Sequence, residues 1–320
     1  MLAIGAGSVL ACAGAAAQPA TPPRRIALLM PSSPAFSKPQ LDAFMSRMNE
    51  MGYVEGRNVV VDKRWADGKV DQLPVLAREL LALNPDVVVA PSSPVAAAFK
   101  KATSKVPVVF TAVSSPVEQG FVASLSHPGG NMTGRSFRSE ALATKLGEML
   151  REIFPAARTI AVLEIDDPNA KVFRSALQAN MAKLGFATEY ALVRNPAEFP
   201  SAFAQVARSR AEILFVGAAP MMVSNTRELV ERAEKARLPV VALRRAFTAG
   251  GGLLSYDSDL RDDYRRAAEY VDRILRGAKP ADLAVDQPER FHLSLNLRTA
   301  RVLGIRIPQS VLVRADEVIE

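Results

Sequence analysis

The chain reads VVVAPSSPVAAAFKKATSKVPVVFTAVSSPVEQG from Val87 to Gly120, and this stretch decides the fold. Within it, two valine-rich apolar runs are each closely followed by a Ser-Ser-Pro tripeptide, at residues 92–94 and 114–116. A third copy, at residues 32–34, follows the apolar run Ile26–Met30. Short apolar runs bounded by turn residues are typical of buried strands, and proline favours the first turn of a helix. The stretch therefore predicts a strand, a tight turn, a helix and a second strand.

Apolar runs of the same kind recur along the chain and predict further buried strands. These runs are Ile26–Met30, Val59–Asp62, Val87–Ala90, Val106–Val113, Ile160–Leu163, Thr188–Val193, Ile213–Val216 and Val240–Leu243. Between them lie segments whose apolar residues recur at helical spacing, such as Leu73, Leu76 and Leu80. Continuous apolar runs fit parallel strands that are covered on both faces. The alternation of strands and helices therefore indicates an α/β fold with doubly wound parallel sheets.

The predicted elements fall into two halves of domain size. Residues 24–113 and 158–243 each hold about four strand–helix units. A turn-rich passage, His127-Pro128-Gly129-Gly130-Asn131, lies between them. Three glycines at residues 250–252 and a predicted last strand, Phe291–Leu295, come after the second half. We therefore expect two similar lobes, with the chain crossing between them again before it ends.

The first 23 residues carry no charged side chain and predict a secretory signal peptide. The chain is apolar or small from Met1 to Cys12, and Ala15-Ala16-Ala17-Gln18 resembles a cleavage site. The apolar part is too short to span a bilayer, and no later segment reaches the ~18 apolar residues that a span needs. We therefore expect a periplasmic protein with no transmembrane segment in the mature chain. Because Val9-Leu10-Ala11-Cys12 resembles a lipobox, a lipid anchor at Cys12 is the alternative.

Composition and missing motifs exclude several classes of function. The net charge is +7, but the basic residues are scattered in short pairs, whereas nucleic-acid binding favours a clustered basic face. The single cysteine lies in the predicted signal, and the two histidines, His127 and His292, are far apart, so a metal site is not expected. The chain has no phosphate loop, no dinucleotide fingerprint and no G-x-S-x-G nucleophile motif. We expect no cofactor and no catalytic residues.

The three Ser-Ser-Pro turns are the first candidates for ligand contact. In open parallel sheets, ligands bind outside the carboxyl ends of the strands. Serine there caps the following helix, and helix N-termini bind anionic groups through their free N–H groups. The candidate residues are Ser32, Ser33, Ser92, Ser93, Ser114 and Ser115. The alternative is that these serines only cap helices.

Three more candidates follow predicted strands of the second half. Asp166, with Asn169 close behind it, comes after the strand Ile160–Leu163, and the pair Arg244-Arg245 follows the strand Val240–Leu243. A guanidinium can hold a carboxylate with two parallel hydrogen bonds, so Arg245 is a candidate anchor for an anionic ligand. Asp166 could contact the ligand, or it could cap the helix that begins near Pro168.

Three motifs identify a family in combination. GYVEGRN at residues 52–58, HPGGNMTG at 127–134 and GAKPADLAVDQP at 277–288 occur in this order. From residue 24 onward the chain resembles the bacterial ABC-transporter substrate-binding proteins of the TrpX-like family. The resemblance implies a type I periplasmic-binding-protein fold, in which three crossovers join two α/β lobes that close on a ligand. By this likeness, one lobe would hold residues 24–134 and 251–284, and the other residues 135–250 and 285–320.

The resemblance also implies a function. Characterised members bind aromatic amino acids, so we expect the solute-binding component of an ABC importer, which docks as a monomer on permease and ATPase subunits. Its ligand would be an amino acid or another small carboxylate or amide, bound without covalent chemistry. One alternative is a sensory protein that feeds a receptor or a sensor kinase. Another is an enzyme that uses Asp166 or Asp257 as its acid.

The chain departs from the family pattern at two places. Family members usually read Gly-Asp-Pro where this chain has Ser114-Ser115-Pro116, and Ser-Tyr-Gly where it has Ser255-Tyr256-Asp257. An acid in the first place could pair with a ligand ammonium, which serine cannot do. Ser115 therefore marks a place where ligand choice has changed, and the resemblance makes Tyr256 and Asp257 candidates at the mouth of the cleft.

Overall fold

The computed structural model describes residues 22–137, 139–166, 171–288 and 290–320. Residues 1–21, which hold most of the predicted signal peptide with Cys12, and the candidate ligand residue Asn169 lie outside the described residues. Among the helices within these ranges, none combines the length and the apolar content that crossing a membrane requires.

The first lobe is built on a parallel sheet of five strands. The strands are β1 (Arg24–Met30), β2 (Val59–Trp65), β3 (Val87–Ala90), β4 (Val108–Ser114) and β5 (Met132–Phe137). The helices α1 (Pro34–Glu50), α2 (Leu73–Ala82) and α3 (Ser93–Ala102) follow the first three strands. The strand order is β2-β1-β3-β4-β5, so the chain winds outward from β1 in both directions. This order places helices on both faces of the sheet.

The second lobe is built on a sheet of seven strands. The strands are β6 (Thr159–Ile165), β7 (Ala187–Val193), β8 (Ile213–Val216), β9 (Val240–Ala242), β10 (Leu254–Asp257), β11 (His292–Asn296) and β12 (Glu317–Ile319). Its helices are α4 (Ser139–Ile153), α5 (Lys171–Lys183), α6 (Phe199–Ser209), α7 (Pro220–Ser224), α8 (Thr226–Lys235), α9 (Arg245–Ala249), α11 (Leu297–Leu303) and α12 (Gln309–Leu312). The strand order is β12-β11-β10-β9-β8-β6-β7, and only the β10–β11 pair within it is antiparallel.

Burial on both faces of each sheet explains the continuous apolar runs. Along β1, Ala27 and Leu29 pack with α2 and α3, whereas Leu28 and Met30 pack on the opposite face, with α1 and α10 (Leu260–Leu275). Successive side chains of a strand point to opposite faces, so a strand that is covered twice needs apolar residues at every position. The predicted doubly wound α/β fold is therefore confirmed.

Three connections cross between the lobes. The first follows β5, the second joins β10 to α10, and the third leads from a 3₁₀ turn at Pro280–Asp282 to β11. The sequence-based division placed residues 251–284 in the first lobe. In the structure, β10 pairs with β9 and β11, so this strand lies in the second sheet. The chain crosses after β10, and α10 then packs against α1.

Three strands, β5, β10 and β12, are absent from the runs that predicted the other strands. The strand β5 reads MTGRSF, and its glycine, arginine and serine hide the apolar alternation although all six residues are buried. The strand β12 has three residues and pairs only with β11 at the edge of its sheet. The burial of polar side chains in β5 indicates that this strand meets other polar groups, and these lie at the crossovers.

Candidate ligand-binding cleft

A cavity of about 160 Å³ lies between the two lobes and is called the cleft cavity below. The turns that follow β1 and β3, the end of β4 and residues of α1 and α10 form its first-lobe wall. The ends of β6 and β9 and the chain after β8 form its second-lobe wall. The cavity therefore lies at the carboxyl ends of parallel strands, where ligands bind in sheets of this kind.

Four of the six predicted serines line the cleft cavity. They are Ser32, Ser92, Ser93 and Ser114. Ser92 also caps α3, because its Oγ accepts a hydrogen bond from the N–H of Val95 at 3.4 Å. Capping and cavity lining are thus combined in one residue, and they are not alternatives. That these serines bind a ligand stays a prediction.

The other two serines do not line the cavity. Ser33 caps α1 through a hydrogen bond from the N–H of Phe36 to its Oγ, at 3.4 Å. Ser115 takes a left-handed conformation with φ of 43°, and its carbonyl oxygen accepts the N–H of Gln119 at 3.0 Å. The expectation that all three Ser-Ser-Pro turns begin helices was wrong for the third copy, because the chain at Pro116 enters a turn and no helix follows.

A β-bulge shapes the cavity wall just before Ser114. The register of β4 against β5 shifts between Phe110 and Val113, and Ala112 within the shift has φ of 52°. A bulge adds a residue to one strand and re-aims the side chains next to it, often beside a binding site. Both Ala112 and Ser114 line the cavity, so the bulge adapts the end of β4 to the cleft.

The buried cation of the cavity is Arg244, the neighbour of the predicted residue. Arg244 is 8% exposed, donates from its Nη1 to the carbonyl oxygen of Leu243 at 2.9 Å, and lies 5.1 Å from the ring centre of Phe137. Arg245 instead points away from the cavity and forms an exposed ion pair with Glu317, with Nε–Oε2 at 2.6 Å. Both arginines follow the end of β9 at Ala242, and of the two only Arg244 lines the cavity.

Glu164 provides an acidic side chain on the same wall. It lies on β6, is 5% exposed and lines the cavity. Its Oε2 is 3.9 Å from Nη1 of Arg174 on α5. A Cβ at Gly217 would lie 3.0 Å from Cγ of Glu164, so the glycine leaves room for the acid. The sequence pattern did not single out Glu164, although an acid inside the apolar run TIAVLEI is the signal that would have found it.

Much of the remaining lining is apolar. Phe36 of α1 comes from the first lobe, and Leu243, Ile165 and Val223 come from the second. A mostly apolar cavity with a few convergent polar groups is the usual form of a small-molecule site. Its volume is close to the ~150 Å³ of a cavity that takes one benzene ring. The cleft cavity therefore suits a ligand with an apolar ring and a polar end.

Three other predicted ligand residues lie outside the cavity lining. Asp166 is exposed and forms an ion pair with Arg194 at 3.3 Å. The ring of Tyr256 packs against Phe291 with 5.6 Å between ring centres. Asp257 is buried behind the cavity wall, where its Oδ2 accepts the N–H of Arg245 at 3.0 Å.

The crossovers are joined by a cluster of charges around Arg135 of β5, in which Arg135 and Asp263 are buried and Asp262 is exposed. Its guanidinium lies 2.7 Å from Asp262 and 3.1 Å from Asp263, both on α10, and 3.9 Å from Asp286 on the third connection. The backbone N–H of Asp286 also donates to the carbonyl oxygen of Gly134 at 2.9 Å. One arginine thus contacts acids from both of the other connections, which explains why a polar strand is buried there.

Two carboxyl groups near the crossovers have unusual pKa values. Burial raises the pKa of Asp257 to about 7, although Arg244 counteracts the shift. Burial also raises the pKa of Asp263 to about 6, against the opposing effects of Arg135 and of a hydrogen bond from Ser258 at 2.9 Å. Both groups therefore bind protons in the folded protein at pH values where unfolded aspartate is ionised.

A pH dependence of stability follows from these shifts. Since the folded state holds more protons than the unfolded state above about pH 4, the free energy of unfolding falls as pH rises through about 6 to 7. Asp257 alone should contribute on the order of 2 kcal/mol of this fall between about pH 5 and 8. Glu50, whose pKa is lowered to about 2, stays ionised throughout the window and adds no slope.

Urea unfolding at several pH values checks this expectation. The variant Asp257→Asn keeps an acceptor for the N–H of Arg245 but cannot titrate, so its stability should depend less steeply on pH. Asp166→Asn, at an exposed position, is the matched control and should keep the wild-type slope. Equal slopes for Asp257→Asn and wild type would contradict the assignment.

Comparison with known proteins identifies the family. The model of the family described as ABC transporter substrate binding protein matches residues 31–319. The chain belongs to this family. The resemblance inferred from the three motifs is thereby confirmed, and the chain is a substrate-binding protein of the ABC-transporter class.

Relatives with known structure or name support the same assignment. An ABC domain from Streptococcus pneumoniae, solved in complex with L-Trp, is 26% identical, with a TM-score of 0.87 over 93% of this chain and 100% of that chain. A conserved domain protein from Vibrio cholerae O1 biovar eltor is 28% identical, with a TM-score of 0.87 over 92% of this chain and 99% of that chain. A tyrosine-binding protein of Clostridioides difficile is 24% identical over 273 residues, which cover 84% of this substrate-binding protein and 78% of the relative.

Proposed function

We propose that this protein is the periplasmic solute-binding component of an ABC importer and that its ligand is a small aromatic α-amino acid. The proposal rests mainly on the cleft cavity, in which Arg244 and Glu164 place opposite charges on a mostly apolar wall. An amino acid is a zwitterion, so its carboxylate would meet the guanidinium and its ammonium would meet the glutamate. Closure of the lobes excludes water and strengthens both contacts.

Size and relatives support an aromatic side chain. A cavity of about 160 Å³ is of the size that accommodates an aromatic ring. The relatives include a protein solved with L-Trp and a protein named for binding tyrosine. Neither acid of the enzyme alternative, Asp166 or Asp257, lines the cavity, so the proposal is binding and release without covalent chemistry. The partners would be a permease and an ATPase, and the binding protein would act as a monomer.

Calorimetry and thermal unfolding with L-tryptophan, L-tyrosine and L-phenylalanine test the ligand. We expect one-to-one binding of at least one of them and a rise in melting temperature of about 5 °C at 100 times its Kd. The D-enantiomers are the matched control and should bind at least about tenfold more weakly, because two charged contacts and a ring fix the stereochemistry. Mass spectrometry of ligand carried through purification gives an independent identification. If none of the three binds and a different class of molecule is found in the protein, the amino-acid assignment fails.

A further inference from the structure

Gln119 lies directly behind the serine wall of the cleft cavity. It belongs to the turn after Ser115, and its Nε2 donates to the carbonyl oxygen of Ser114. The same nitrogen lies 3.3 Å from Oγ of Ser93 and 3.3 Å from Oγ of Ser114. Lys100 of α3 donates to the carbonyl oxygens of Gln119 and Gly120 and holds the turn in place. The glutamine itself does not line the cavity.

The carbonyl oxygen of Ser114 fixes the orientation of the Gln119 amide. A carbonyl oxygen can only accept a hydrogen bond, so the amide atom that faces it must be the NH₂ group. One N–H of this group goes to the carbonyl, and the other is shared between the hydroxyls of Ser93 and Ser114. The amide therefore acts as a donor toward both hydroxyl groups.

This orientation decides what the two hydroxyls offer to a ligand. A serine hydroxyl has one hydrogen to donate and can also accept. Because Ser93 and Ser114 accept from Gln119, their O–H hydrogens remain for donation, and both side chains line the cavity. The hydroxyl of Ser92 is also left as a donor toward the cavity, since its Oγ accepts a hydrogen bond from the N–H of Val95. The N-terminus of α3 adds a partial positive charge at this wall.

We propose that Gln119 is a positioning residue that turns the hydroxyls of Ser93 and Ser114 into donors for the ligand carboxylate. The inference rests on the proposed amino-acid ligand and names the first-lobe half of its carboxylate site. The carboxylate is then held from both lobes, by the serine hydroxyls on one side and by Arg244 on the other. Carboxylate oxygens have lone pairs enough for both sets of donors.

The substitution Gln119→Glu reverses the polarity of the wall with little change in shape. A carboxylate only accepts, so the two hydroxyls would donate to it and present lone pairs to the cavity. The probes are the tightest-binding of L-tryptophan, L-tyrosine and L-phenylalanine, and the amide of the same amino acid, each measured by calorimetry. In Gln119→Glu we expect the ratio of acid affinity to amide affinity to fall at least about tenfold from the wild-type value.

Two further variants separate polarity from charge and from folding. Gln119→Met removes the donor without adding a charge and should lower the ratio about threefold. Gln178→Glu adds the same charge at an exposed position of α5 and should leave the ratio within about twofold of wild type.

Each outcome decides the proposal. A fall of the ratio in both Gln119 variants, with the Gln178 variant unchanged, supports it. Equal losses of affinity for the acid and for the amide would mean that Gln119 only supports the fold of the turn. Unchanged affinities for both would mean that Gln119 has no part in binding. Either result overturns the assignment of Gln119 while the proposed function stands. Failure of all three amino acids to bind wild type overturns the proposed function, and this assignment with it.

Discussion

Replacing Arg244 by alanine is expected to weaken binding of the proposed aromatic amino-acid ligand by at least about 30-fold. Truncating one partner of a buried, hydrogen-bonded charge pair costs about 2–5 kcal/mol, and 2 kcal/mol corresponds to about a 30-fold change in Kd. Arg244 is 8% exposed and lines the cleft cavity, so water does not replace the lost contact when the lobes close. Arg244→Lys should restore little, because an ammonium cannot form the two parallel hydrogen bonds of a guanidinium.

Arg245 supplies a matched control on the adjacent residue. Its guanidinium is exposed and paired with Glu317, and exposed ion pairs contribute about 0–1 kcal/mol. Arg245→Ala should therefore change the Kd by less than about twofold in the same calorimetric titration. Thermal unfolding of both variants reports whether they are folded. If Arg245→Ala lost affinity and Arg244→Ala did not, the carboxylate site would have to be placed elsewhere.

Arg244 and Arg245 also show how much of the candidate site can be predicted from the sequence. The place was predictable, because polar residues that follow a buried strand lie at the ligand-binding edge of the sheet. Which arginine faces inward was not, because both follow the end of β9 at Ala242, where the alternation of side chains along a strand no longer applies. Glu164 directly follows the predicted run Ile160–Leu163, so the same rule covers it, but only Asp166 two residues further on was named.

The fold was predictable wherever the hydrophobic pattern alone determines it. Strands such as β3 and β8 are covered on both faces, so each reads as a short apolar run. The third Ser-Ser-Pro copy and β5 were not predictable in the same way. The conformation of Ser115 depends on the turn that holds Gln119, and the polar residues of β5 are matched by acids more than 120 residues away in sequence. Local patterns carry no information about such distant partners.

Gly134 of β5 is expected to be among the most sensitive positions for stability. A Cβ at this residue would lie 1.9 Å from the carbonyl oxygen of Phe110 on β4, and the backbone has φ of 143°. The clash is with backbone, so no side-chain rotation relieves it. A strained φ of this kind costs about 1–3 kcal/mol before the clash is counted. Gly134→Ala should therefore lower the free energy of unfolding by about 3 kcal/mol or more, measured by urea unfolding.

Gly130 belongs to the same HPGGNMTG motif and provides the control. A Cβ there would meet nothing within 4 Å, and its φ lies outside the left-handed range. Gly130→Ala should leave the free energy of unfolding unchanged or raise it by about 0.5 kcal/mol, because alanine restricts the unfolded chain. The two glycines thus have opposite expected effects, which a reading of the motif as a mere loop does not predict.

The substitution Gly134→Ala should also affect the binding cleft. The carbonyl oxygen of Gly134 accepts the N–H of Asp286, and Arg135 beside it contacts acids of the other two crossovers. Pushing β5 away from β4 would shift these contacts and the relative position of the lobes. If Gly134→Ala still yields folded protein, its affinity for the preferred amino acid should fall together with its stability. If Gly134→Ala is as stable as wild type, the close approach of β4 and β5 is contradicted. If Gly134→Ala loses stability but keeps the wild-type affinity, the contacts at the crossovers do not influence binding.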